Sequence, residues 1–202
     1  MRSNSSTTSR TPPPARSARK TCVTALRTTR LADLVIRPAR EDDAQAVCDI
    51  YAWHVANGTG TFDTVAPIAR EWAEKIAHFA VQGWPFLIAE RDSTILGYAY
   101  AARFRERAAY AATCEDSIYI APDARGGRIG SALLPALIDA ARACGFEQMI
   151  AVAGGGEPAS VALHGKCGFE HAGRLRNVGR KFGRVLDTVY MQRNLMEEDD
   201  AL

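Results

Sequence analysis

One stretch, Cys114 to Cys144 (CEDSIYIAPDARGGRIGSALLPALIDAARAC), limits what this chain can fold into more than any other. Cys114 to Ile120 is short, β-branched and aromatic, with Ile118 and Ile120 alternating against Tyr119, and this pattern predicts a strand. Pro122 and Asp123 end it, because proline cannot donate to a sheet ladder and aspartate favours turns. After Arg125-Gly126-Gly127-Arg128-Ile129-Gly130, apolar residues recur at Ile129, Leu133, Leu137, Ile138 and Ala141, which is helical spacing. Gly145 closes that helix as the C′ residue. Pro135 lies inside it, cannot donate to the carbonyl of Ser131, and is expected to kink it. A glycine-rich loop between strand and helix presents uncommitted backbone N–H groups and the positive end of the helix dipole, a setting for phosphate. Two arginines in the loop strengthen that reading. The plainer alternative is a connection whose glycines serve only the turn. The spacing matches neither the ATPase P-loop nor the Rossmann glycine pattern.

The chain has 202 residues, enough for one domain with an appended tail. Its apolar fraction of 47% and charged fraction of 24% fit a globular class, and no apolar run is long enough to span a bilayer. The five cysteines (Cys22, Cys48, Cys114, Cys144, Cys167) are scattered, which suggests neither a zinc site nor a disulfide framework and points to a reducing cytoplasm. Charge is distributed unevenly. Seven basic residues and no acidic one precede Asp33, so removing them from the net +2 leaves the remainder near −5. With its Ser, Thr and Pro content, the segment 1–32 reads as a disordered tail that lies outside the folded domain of residues 33–197. A transit peptide and a start assigned too early are the competing readings. The tail lacks the interleaved aromatics of a nucleic-acid binder. Residues 198–202 form an acidic end.

Along the folded part, Leu34–Arg37 reads as a strand stopped by Pro38. Asp42 or Asp43 is expected to cap a helix facing inward through Ala44, Val47, Cys48, Tyr51 and Val55. Pro67 introduces a second helix with Ile68, Trp72, Ile76 and Phe79 on one face and Gly83 at its end. Pro85–Glu90 and Thr94–Ala102 make a hairpin, and a polar loop follows from Arg103 to Ala112. Gln148–Ala153 is a strand running into three glycines, Ala159–Cys167 a short helix, and strands from Phe169 and over Val185–Leu195 finish the chain. Strands alternate with helices and also form hairpins, so the fold class is α/β with a mixed sheet.

Three segments together carry a resemblance: FRERAAYAATCEDSIYI (Phe104–Ile120) with its loop, SVALHGKCGFE (Ser160–Glu170), and VGRKFGRVLDTVYMQRNL (Val178–Leu195). In order and separation they resemble the GNAT acyltransferase superfamily, most closely its phosphinothricin and methionine sulfoximine N-acetyltransferase branch, over Leu34 to Leu195. The resemblance implies a sheet with splayed parallel strands and acetyl-coenzyme A wedged between them. Ser117, Ile118, Tyr119 and Ile120 would line its pantetheine arm. Arg125, Gly126, Gly127, Arg128, Ile129, Gly130 and Ser131 would hold its pyrophosphate, with Glu157 and Ser160 on the following helix. Two positions depart from the family pattern. Arg128 stands where the loop usually has glycine, either crowding the phosphate or adding a charged contact. Glu157 stands where the family commonly has asparagine, and an ionised carboxylate only accepts hydrogen bonds.

Transfer of acetyl from a thioester to an amine requires removal of a proton from the ammonium, stabilisation of the carbonyl oxygen and protonation of the thiolate. The resemblance makes Glu115 the general base, against a plainer reading as a solvated strand-edge carboxylate shared with Asp116. His164 would donate to the thiolate or orient water; alternatively it packs on Phe169 or caps its helix. Arg105 and Arg107 would take the acceptor's carboxylate, with Phe62 and Tyr110 lining the pocket. The expected activity is acetyl transfer to a small amino acid or analogue by a cytoplasmic homodimer, without a metal, nucleic-acid or membrane partner. Peptide N-terminal acetylation and a non-catalytic coenzyme A-binding module are the rivals.

Overall fold

The computed structural model describes residues 33–196, so the predicted basic tail and acidic end lie outside the described residues. Seven strands make one sheet in the order β1-β2-β3-β4-β5-β7-β6. They are β1 (Val35–Pro38), β2 (Phe86–Arg91), β3 (Thr94–Arg103), β4 (Thr113–Ile120), β5 (Gln148–Gly154), β6 (Glu170–Lys181) and β7 (Arg184–Asn194). Helices α1 (Ala44–Asn57), α2 (Ala69–Gln82), α3 (Ile129–Ala143) and α4 (Pro158–Lys166) flank it. No described helix is long and apolar enough to cross a membrane.

Every neighbouring pair is antiparallel except β4 and β5. Those two run parallel and pair only from Thr113/Gln148 to Glu115/Ile150. Beyond that point each strand continues without the other, so the sheet opens between them while β4 stays bound to β3 as far as Ile120. The splay expected from the resemblance is therefore present, and its apex lies at Glu115.

Two apolar layers sandwich the sheet. On one face Leu133, Leu134, Leu137 and Ile138 of α3 pack with Cys114, Met149 and Ala151. On the other, Val47, Tyr51 and Val55 of α1 and Trp72, Ile76 and Phe79 of α2 meet Phe86, Ile88 and Tyr98. The period of two along β4 divides its side chains accordingly: Cys114 and Asp116 face α3, whereas Tyr119 joins the aromatic cluster under α1. Helix α3 spans Pro135 without a break. Both hairpin turns, Asp92-Ser93 and Phe182-Gly183, have positive φ at their two central residues, the geometry of a two-residue turn between twisted strands.

Two helix starts differ from the sequence expectation. Ile68 is the exposed residue before α2, and the inward face begins at Trp72. Neither Asp42 nor Asp43 caps α1 through its side chain. Asp43 instead accepts the backbone N–H of Arg40 (2.7 Å) and both terminal nitrogens of Arg37 (2.7 and 2.8 Å), while Arg37 also donates to Glu90. A carboxylate that can reach a guanidinium fork gains more there than at a helix end. Burial raises the Asp43 carboxyl, but the bonds from Arg37 and Arg40 outweigh it and hold it below the usual aspartate range. Its contribution to stability is thus fully present above the unfolded pKa and lost as pH falls through the depressed folded one. We expect Arg37→Met to cost about 1.5–3 kcal/mol at pH 7, with the gap to wild type closing in acid. Urea midpoints at neutral pH and below pH ~3 check this.

Candidate active site

The loop after β4 reaches α3 through a 3-10 turn at Pro122–Ala124. Gly126 has φ 76° and Arg128 has φ 59°, while Gly127 is not in the left-handed region. The sequence suggests that glycine had moved by one position; the backbone shows that Arg128 itself adopts the conformation glycine would normally supply. This costs about 1–2 kcal/mol in a residue with a Cβ, and it leaves the guanidinium exposed at the start of α3. The first N–H groups of any helix lack intrahelical partners, and the first turn of α3 contains no acidic residue. Arg125 lies 4.2 Å over the Trp53 ring, so α1 supports the loop from the side. His54, one residue on, donates Nε2–H to the carbonyl of Ile120 at 2.9 Å, and burial keeps this imidazole below its usual range. Together the residues fit a phosphorylated ligand: cations, open N–H groups and no carboxylate in the first turn of α3.

Gly130 also has a packing role, since a Cβ there would come within 3.0 Å of Leu163 and push α4 off α3. Ile129 is buried in the core and can offer a ligand only its backbone N–H, whereas Ser131 is exposed and can offer its hydroxyl as well. The side chains of Ile118 and Ile120 pack against the α3 layer, and Tyr119 sits edge-on to Tyr51 at 4.9 Å. Contacts from these three positions to a ligand in the cleft would therefore come from the main chain along the open edge of β4. Ser117, just before them on β4, is half-buried. Glu157 is exposed and precedes α4 without capping it by its side chain.

Glu115 is half-buried at the apex of the cleft. Burial pushes its carboxyl above the ordinary glutamate range, the charge of Asp116 adds to this, and Arg105 opposes it. The proximity of Arg105 to Glu115 brings together two residues predicted for different tasks. Arg105 also stacks at 4.3 Å on Phe104, whose ring meets Tyr110 edge-on at 5.8 Å. Arg107 and Tyr110 are exposed on the same loop, around a short 3-10 turn at Ala108–Tyr110. Phe62 comes from the segment after α1, and a Cβ on Gly179 of β6 would overlap its ring.

Asp116 corrects the picture of a solvated carboxylate pair. It is 6% exposed, and its Oδ2 lies 3.1 Å from Nε2 of His164, itself 3% exposed. Nδ1 of His164 donates to the carbonyl of Ser160 at 2.7 Å, and the ring meets Phe169 edge-on at 4.9 Å. Burial works against a charge on this imidazole, yet the Asp116 bond and charge raise its proton affinity above the usual histidine value. Both ring nitrogens are thus engaged, and His164 has no free N–H to offer a leaving thiolate. Of its two anticipated settings, the packed one against Phe169 describes the geometry. Ser160 contributes its carbonyl to this histidine, with its hydroxyl 3.3 Å from Nδ1.

Sequence reasoning missed Asp116 and the glycine contacts beneath Phe62. A signal existed for the first: alternation along β4 places Asp116 on the inward side with Cys114. For the second, Gly179 is a glycine inside a strand, a position where another group can approach closely. Residues 47–169 match the model of the acetyltransferase (GNAT) family. The chain is 48% identical over 168 residues to the phosphinothricin N-acetyltransferase of Alcaligenes faecalis, covering 83% of this chain and 85% of that protein. It is 40% identical over 162 residues to the L-methionine sulfoximine/L-methionine sulfone acetyltransferase of Pseudomonas paraeruginosa, covering 79% and 94%. A phosphinothricin acetyltransferase of the GNAT superfamily from Sinorhizobium meliloti, solved with AcCoA, superposes with a TM-score of 0.79 at 42% identity over 84% of this chain and 92% of that one. With the splayed strands, the cationic helix start and this shared length, the chain belongs to the acetyltransferase (GNAT) family.

Proposed function

We propose that this acyltransferase moves acetyl from acetyl-coenzyme A to the α-amino group of a small amino acid or analogue, with phosphinothricin and methionine sulfoximine or sulfone as the foremost candidates. The observation that carries the reading is Glu115: a half-buried carboxylate of raised proton affinity, at the point where β4 and β5 part, with a cation nearby. A carboxylate in this state is a stronger base than an ordinary glutamate. The bound coenzyme supplies an activated thioester. Arg125, Arg128 and the start of α3 would hold its phosphates, and the open edge of β4 would take its pantetheine arm.

The proton balance is simple. An ammonium that becomes an amide gives up two protons. Glu115 takes the first, directly or through water, and frees the lone pair that forms the N–C bond. As the C–S bond breaks, the thiolate takes up one proton and the other leaves to solvent. Backbone groups on the unpaired edge of β4 are suited to polarise the thioester carbonyl. His164 would have to leave Asp116 to reach the thiolate, so we assign it to positioning. Arg105 supports recognition of an acceptor carboxylate, and Arg107, Tyr110 and Phe62 are the further acceptor residues we propose. A homodimer is also proposed, supported by exposed Leu175, Val178, Phe182 and Val185 on the β6–β7 hairpin. The cytoplasmic location inferred from cysteine usage belongs to the same reading.

Thiol release from acetyl-coenzyme A tests it, with a panel of free amino acids, the named analogues and short peptides as acceptors. We expect turnover on a free amino acid or analogue and weak activity on peptides. Preference for peptide N-termini would overturn the acceptor assignment. Cofactor binding without thiol release on any acceptor would favour the non-catalytic module.

A further inference from the structure

We propose that Asp116 is a positioning residue for the transfer: paired with His164 behind the open edge of β4, it keeps a buried negative charge beside Glu115. The inference rests on Glu115 being the base. Asp116 is the first residue past the last β4–β5 pair, so it lies where the cleft opens but faces the α3 and α4 side. Its partner belongs to α4, which follows β5. The pair therefore links the elements on the two sides of the cleft.

The protonation of the pair follows from its contacts. A carbonyl only accepts, so Nδ1 of His164 bears hydrogen towards Ser160. A proton must then lie between Nε2 and Oδ2, and the raised proton affinity of His164 keeps it on the imidazole, so the pair is imidazolium with carboxylate. The remaining oxygen, Oδ1, is buried without a hydrogen-bond partner. A buried bare carboxylate oxygen is costly to maintain, and a role in the field around a neighbouring group is one physical account of its retention. Few other charges compete in this field. Glu115 and Cys114 are its neighbours on β4, and Arg105 acts on Glu115 from the loop after β3. Ala101 and Ala102 stand opposite Asp116 and Glu115 on β3, Met149 and Ile150 come from β5, and the inward face of α3 is apolar. The charges that oppose Asp116 at Glu115 are His164 and Arg105, and the balance still favours the protonated Glu115. The Asp116 charge disfavours a second negative charge there and makes Glu115 a stronger base.

The test is Asp116→Asn, with Asp116→Ser as a second neutral variant should the amide disturb packing. We expect the acidic limb of the kcat/KM profile for the acceptor to move to lower pH in both, with KM for acetyl-coenzyme A unchanged. The direction follows because removing a negative neighbour lets Glu115 release its proton more easily. Carbon-13 NMR of the Glu115 carboxyl, titrated in wild type and variants, reads the same effect without turnover. If wild type transfers acetyl to no acceptor, the proposed function fails, while the NMR titration still decides the coupling. An unmoved Glu115 titration in folded variants, or a loss of rate with an unmoved acidic limb, would overturn the role of Asp116.

Discussion

Glu115→Gln is expected to lower kcat by about 10²–10⁴-fold, the range spanned by a positioned general base, with acetyl-coenzyme A binding as tightly as to wild type. The amide keeps the shape of the carboxyl group but cannot accept the ammonium proton. The cationic start of α3 lies at the far end of β4 from residue 115, so the phosphate contacts are untouched. Stability should move the other way. Burial and Asp116 raise the Glu115 carboxyl above its unfolded value. The protonated form therefore suits the fold, and this contribution is fully present below the unfolded pKa. It is lost as pH rises through the folded one, so at neutral pH the ionised group is a cost. Glutamine carries no such cost, and the variant is expected to melt no lower than wild type at pH 7. This is the trade expected when an active site holds a group in an environment it does not favour. The paired readout is steady-state thiol release with a melting curve. Substantial residual kcat in a stably folded Glu115→Gln protein would remove Glu115 from the role of base.

The arginine-glycine loop and its helix were legible because glycine content, strand alternation and helical period all lie within thirty-odd consecutive residues. Glu115 was singled out from a motif as the proposed base, and its position at the cleft apex follows from where strand pairing stops. What escaped depends on partners distant in sequence. Asp116 meets His164 across 48 positions, and until α4 is docked the carboxylate reads as one of two at a strand edge. Asp43 was taken for a cap because local rules favour it, and Arg37 on the neighbouring strand competes successfully for its carboxylate. Arg128 shows a third kind of limit. Composition indicates which residue tolerates a positive φ, yet the surrounding packing decides which residue must adopt it.

The same dependence on distant partners underlies the expected effect of Gly154→Ala at the end of β5. A Cβ there would lie 2.7 Å from the carbonyl oxygen of Gly60 and 2.9 Å from that of Thr59. Both neighbours are main chain, and the segment that bears them has little freedom to retreat. Tyr51 bonds Thr61 Oγ1 at 2.8 Å and Asp63 at 2.6 Å, while the buried Lys181 ammonium holds the Thr61 carbonyl at 2.9 Å. An added methyl group therefore either strains this network or displaces it. Overpacking of this kind costs about 1–3 kcal/mol, or a fall in Tm of roughly 2–4 °C per kcal/mol for a domain of this size. The functional effect should be selective. Phe62 follows Thr61 and rests against Gly179, so displacing the segment moves a proposed wall of the acceptor pocket. KM for the acceptor should rise while KM for acetyl-coenzyme A stays the same. Gly165→Ala is the matched control: it lies exposed in α4 with nothing near the new methyl group, and should be neutral or stabilising by up to about 1 kcal/mol. An unchanged acceptor KM in a destabilised Gly154→Ala protein would show that Phe62 does not line the pocket. If both Tm and KM were unchanged, the segment could retreat, and its ties to Tyr51 and Lys181 would not fix its position.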